Sequence, residues 1–107
     1  MPMIYELREY VSTPERIDQL DERFEQHVLK FFERHGIEVV AIWRARDDAR
    51  LVYLTRFADE DSRAAAWESF KADREWLAVK AQSEQDGPLM QDQTTTVLVP
   101  TPYSRRP

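Results

Sequence analysis

The stretch IEVVAIWRARDDARLVYLTRF, residues 37–57, decides the fold. Its two halves, 37–45 and 50–57, are rich in β-branched and aromatic residues, and the RDDA between them is short and polar enough for a turn, so a β-hairpin is predicted. In VVAIW and LVYL both alternating sets are apolar, the pattern of strands covered on both faces.

Outward from the hairpin the pattern continues. MIYELREYV, residues 3–11, sets Met3, Tyr5, Leu7 and Val11 on one face and Ile4, Glu6, Arg8 and Tyr10 on the other, which predicts a strand. STPE at 12–15 reads as a helix start, with Ser12 or Thr13 as cap, Pro14 in the first turn and Glu15 closing a capping box onto Ser12. Ile17, Leu20, Phe24, Val28 and Phe31 then form one apolar stripe. Asp18, Asp21, Glu22 and Glu25 form a solvated face, and Gly36 is the stop. After the hairpin, Asp59 and the acidic residues beside it open a second helix with Ala66, Phe70 and Leu77 on its stripe. Trp76 and Val79 fall off that stripe, so a break is expected near Asp73. DGP at 86–88 is a turn, QTTTVLV at 93–99 a last strand, and 100–107 an extended, proline-marked tail.

The resulting order, βαββαβ in one domain over residues 1–107, implies an α+β, ferredoxin-like sandwich with two helices on one face of a four-stranded sheet. The other face is left bare although its strands are apolar on both sides. In so short a chain the expected cover is a second copy, giving a homodimer.

Composition narrows the function. The 107 residues, 42% hydrophobic and 33% charged with two glycines, suit one globular domain. There is no cysteine, hence no disulfide, thiolate metal site or cysteine nucleophile. A net charge of −5 without a basic block disfavours nucleic acid. The third-strand pattern of RNA-recognition domains is also missing, because RLVYLTRF has no glycine and the wrong aromatic spacing. No apolar run approaches the roughly 20 residues that span a bilayer, and MPMIYELREY lacks the basic and apolar regions of a secretion signal, so no membrane partner and a cytoplasmic location are expected. With no glycine-rich phosphate loop, zinc spacing or covalent haem motif, no cofactor is expected.

Both histidines lie in HVLKFFERHG, residues 27–36, about 12 Å apart along a straight helix and too far to share a metal. No metal site is expected. His35, one residue before Gly36, reads as packing or a helix-end cap. His27, at the stripe's edge, is a candidate for reaching a cleft beside the sheet. Glu6, Arg8 and Tyr10 project from one strand face. They read either as a structural ion pair or as a polar patch orienting a ligand, with Trp43 and Tyr53 on the hairpin as its aromatic wall. The candidate ligand-binding set is therefore Glu6, Arg8, Tyr10, His27, Trp43 and Tyr53.

Taken together, MIYELREY, FFERHG, VVAIW, VYLTRF, FKADREWLA and VPTPYS resemble the NIPSNAP family across nearly the whole chain, although Arg74 stands where the family pattern A-D-P-x-W has proline. The resemblance implies a dimeric α/β barrel closed by two ferredoxin-like sheets, in a family with no agreed reaction. The wider superfamily includes cofactor-free monooxygenases and isomerases. The expectation is a homodimeric domain binding a small apolar or aromatic compound in a barrel cavity. The alternatives are a cofactor-independent monooxygenase or isomerase, and a protein-interaction module without pocket chemistry.

Overall fold

The structure, a computed structural model, describes residues 3–46 and 48–105. In chain order it contains β1 (Ile4–Ser12), α1 (Ile17–Arg23), a π-helical turn (Phe24–Val28), α2 (Leu29–Arg34), β2 (Glu38–Arg44), β3 (Arg50–Phe57), α3 (Glu60–Lys71), α4 (Arg74–Ser83) and β4 (Met90–Leu98). The strands form one antiparallel sheet in the order β2-β3-β1-β4, and the helices cover one face, which is the expected ferredoxin-like sandwich. The turn predicted over RDDA includes Asp47, which lies outside the described residues.

Register sorts the side chains, because directly paired residues share a face. Glu6 opposes Thr55, Arg8 opposes Tyr53 and Tyr10 opposes Leu51, and all six point under the helices. Leu7 and Leu54 oppose each other on the open face, where Ala41 and Trp43 join them from β2. Trp43 is 52% exposed there. A bulge between Val39 and Ala41 shifts the β2 register, so Val39 still packs on the core while Ala41 faces away from it.

The apolar positions Leu20, Phe24, Val28 and Phe32 recur every four residues and are all buried. In an ideal α-helix of 3.6 residues per turn a four-residue step drifts by about 40°, so such a stripe slides off a flat sheet within three turns. The wider turn at Phe24–Val28 cancels part of that drift and returns Phe32 to the core. Phe32 then meets Phe24, Trp67 and Phe70 edge-on, at centroid distances of 5.7, 5.3 and 5.0 Å.

The helix start differs from the expected capping box. Ser12 belongs to β1, and Thr13 is tied to the loop before β4: its N–H donates to the Leu89 carbonyl at 2.9 Å and its hydroxyl to the Pro88 carbonyl at 2.6 Å. Glu15 adopts φ 65°, a left-handed conformation no helix can continue, so α1 begins only at Ile17 with no side-chain cap. At the other helix pair, Ala72 ends α3 and Asp73 caps α4, accepting from the N–H groups of Glu75 (2.9 Å) and Trp76 (3.3 Å). This break turns Trp76 and Val79 to the core, while Leu77, expected on the buried stripe, is 47% exposed.

Strand β4 starts at Met90 instead of 93 because Met90 pairs with Ser12 across a register shift. Its residues from Gln91 onward are exposed, as are residues 99–105 that follow. Among the described residues no helix is long and apolar enough to cross a membrane.

Candidate functional site

Two places gather polar side chains. The first is buried. Glu6, with no exposed surface, accepts from Arg8 Nη1 at 2.7 Å and from Arg63 Nη1 on α3 at 2.5 Å, and Arg63 also pairs with Glu60 at 2.7 Å. The Arg8 guanidinium lies 4.1 Å from the centre of the Trp67 ring. The Tyr10 and Tyr53 hydroxyls share a hydrogen bond of 2.6 Å, and the Tyr53 ring rests on Phe24 and Phe32. Burial opposes the charge on Arg8, but the tyrosines and Glu6 outweigh it and raise its pKa above the ordinary arginine value. Burial, then Tyr10, pushes the Tyr53 phenol well above its usual range, so it stays neutral. The cluster is balanced, two carboxylates against two guanidiniums, and clamps β1 to α3. Arg8 Nε and Trp67 Nε1 are buried within it and have no hydrogen-bond partner among the described residues.

The second place is open. Between α1 with its π-turn and α4 runs a groove of about 450 Å³. Arg23, Gln26 and His27 line one side, Val79, Gln82 and Ser83 the other, with the buried Leu89 beside them. Arg23 is 7% exposed. It donates to Ser83 Oγ (3.1 Å) and Glu84 Oε2 (2.8 Å), its guanidinium lies 5.4 Å from the centre of the Trp76 ring, and its Nε has no partner among the described residues. His27 sits on the π-turn with its side chain exposed, so the wider turn that keeps the stripe in phase also sets the angle at which the imidazole meets the groove.

The six sequence-predicted site residues are therefore divided. Glu6, Arg8, Tyr10 and Tyr53 meet beneath the helices, Trp43 faces the opposite side of the sheet, and His27 belongs to the groove. The structure adds Arg63 and Trp67 to the cluster and Arg23, Val79 and Leu89 to the groove. Arg23 did carry a sequence signal: a charge immediately before Phe24 and three residues after Leu20 sits at the edge of a buried stripe and needs a partner. Leu89, beyond the second helix, carried none. Among the described residues no three His, Asp or Glu side chains gather as for a metal ion.

The fold is shared with solved proteins. A NIPSNAP-like domain protein from Burkholderia xenovorans superposes with a TM-score of 0.84 at 21% identity, over 97% of this chain and 90% of that one. A NIPSNAP family protein of unknown function from Agrobacterium tumefaciens gives 0.83 at 22%, over 96% and 92%. SnoaB, a cofactor-independent oxygenase from Streptomyces nogalater, gives 0.62 at 14%, over 100% and 97%. No curated protein matches the chain. The NIPSNAP family model matches residues 5–105, from the strand that carries Glu6 and Arg8 through the groove helices to the tail, and by that match the chain belongs to the NIPSNAP family.

Proposed function

We propose that the protein binds a small, neutral, apolar or aromatic compound in the groove between α1 and α4, and that it does so as a homodimer joined through the open face of its sheet. The groove carries the reading. Its volume of about 450 Å³ falls in the range of small-molecule sites, and Val79, Ala78 and Leu89 give it apolar surface beside amide and hydroxyl groups that can orient a ligand. The charges near it favour a neutral occupant: Arg23 is already paired with Glu84, and Glu22 adds a second carboxylate to the lining, which disfavours an acid.

The test is thermal denaturation with a panel of neutral aromatic and lipid-like compounds. A compound present at 100 times its Kd stabilises the native state by about 2.7 kcal/mol. Ala78→Trp, at an exposed helical position lining the groove, blocks the site without entering the core and is expected to abolish the shift. No stabilising compound, or a shift that survives Ala78→Trp, contradicts the groove reading and leaves the interaction module.

A second reading, cofactor-independent turnover of the bound compound, is favoured by the exposed imidazole of His27 at the groove. The shared fold with an oxygenase adds analogy alone. His27→Gln separates the two readings: a carrier keeps binding its compound, while an enzyme keeps binding and loses turnover.

A further inference from the structure

Where α2, α3 and α4 converge, His35 is held between two side chains distant in sequence. Its Nδ1 lies 2.5 Å from Ser69 Oγ on α3, and its Nε2 lies 2.6 Å from Asp73 Oδ2 at the start of α4. Asp73 is fixed in turn by two backbone N–H groups of α4 and by Arg34 Nη1 at 3.0 Å. The His35 bond, ahead of the others, holds the Asp73 carboxyl down at about 2, so at neutral pH it only accepts. Nε2 must therefore carry the hydrogen. In the neutral imidazole this leaves the Nδ1 lone pair facing Ser69, whose hydroxyl donates to it. The acid and the base are shielded, with side chains 7% and 13% exposed, while Ser69 is open to solvent.

A nucleophile in hydrogen-bond reach of a base, with the base oriented by a third group, is the arrangement that activates serine. We propose that Ser69 is an activated nucleophile that takes an acyl group from small activated esters, with His35 as its general base and Asp73 as the residue positioning that base. The Oγ proton passes to Nδ1 as Oγ attacks the ester carbonyl. The adduct collapses by breaking the bond to the phenol oxygen, the phenolate takes the proton from the imidazolium, and an acyl ester remains on Ser69. No electrons change hands beyond these bonds. Ser69 lies in the last turn of α3, where its own N–H is committed to the helix and cannot join a pair of donors for the oxyanion. The serine alkoxide that deacylation must expel is also a poorer leaving group than the phenolate expelled in acylation. Acylation is therefore expected to run once and stop, labelling the chain without sustained turnover.

The test treats the full chain with p-nitrophenyl acetate and locates acetyl groups by peptide mass spectrometry. The other serines, Ser12, Ser62, Ser83 and Ser104, serve as internal references. The expected result is about one equivalent of phenol released, with the acetyl on Ser69 and absent in Ser69→Ala. The rate should fall at least about tenfold in His35→Gln and in Asp73→Asn. Asn preserves the α4 cap, so Asp73→Asn remains informative if His35→Gln does not fold. Labelling of Ser69 no faster than that of Ser62, an exposed serine on the same helix, would overturn the proposal. So would labelling unchanged in a folded His35 or Asp73 variant, which leaves the three residues as an interhelical clasp.

Discussion

A carboxylate with no solvent exposure is tolerable in this core because two guanidiniums reach it. Glu6 is bonded to Arg8 and Arg63, so its removal takes the carboxylate from the buried Arg8 and leaves Arg63 to Glu60 alone. Glu6→Gln is expected to cost about 3 kcal/mol in urea denaturation, the usual scale for breaking a buried pair from one side; a loss below about 1 kcal/mol would mean that water already reaches the arginines. Asp73 predicts a pH dependence. Its carboxyl titrates at about 2 in the folded protein against about 3.9 unfolded, so its contribution is present above about pH 4 and is lost as pH falls through 2. The stability difference between wild type and Asp73→Asn, measured by thermal denaturation, should shrink over that interval, and a difference constant from pH 5 to 2 would contradict it. Period-two alternation made it legible that Glu6, Arg8 and Tyr10 share a face. It did not reveal which face, because both faces of β1 mix polar and apolar residues and the partners Arg63 and Trp67 arrive from a helix more than fifty residues later.

At the scale of elements, the strands were legible because β-branched and aromatic residues dominate them, and the break at Asp73 because Trp76 and Val79 leave the stripe of Ala66 and Phe70. The start of α1 was not. Ser12 and Glu15 have the spacing of a capping box, but Ser12 completes the sheet and Thr13 is held by Pro88 and Leu89, contacts from the far end of the chain. Glu15 then turns left-handed. Glu15→Gly, at an exposed position, should raise stability by about 0.5 kcal/mol or more, since glycine takes this conformation without a Cβ clash. A capping box would give the opposite sign, a loss measurable in the same chemical denaturation. The π-turn escaped because the apolar residues it brings into line already fit a helical stripe when read pairwise. Only the accumulated drift of Leu20, Phe24, Val28 and Phe32 betrays it.

For the whole molecule, the helices protect one face of the sheet and leave Leu7, Val52, Leu54 and Trp43 on the other. Strand β3 is apolar on both faces, yet only its Leu51, Tyr53 and Phe57 set is buried within the chain. A second copy set sheet to sheet would bury that face, and an obligate interface of this kind commonly covers about 2,000 Å² or more in total, enough to survive micromolar dilution. Ile42, on the β2 edge but facing the helix side beside Tyr53, supplies a control. Ile42→Asp should lower stability without dividing a dimer, whereas Trp43→Asp should yield aggregated or unfolded chain. The pairing of two copies through this sheet is tested most directly by sedimentation equilibrium of the wild-type protein at tens of micromolar. The expected result is twice the 12.7 kDa chain mass, and a stable, soluble species at the single-chain mass would contradict the dimer and the barrel built from it.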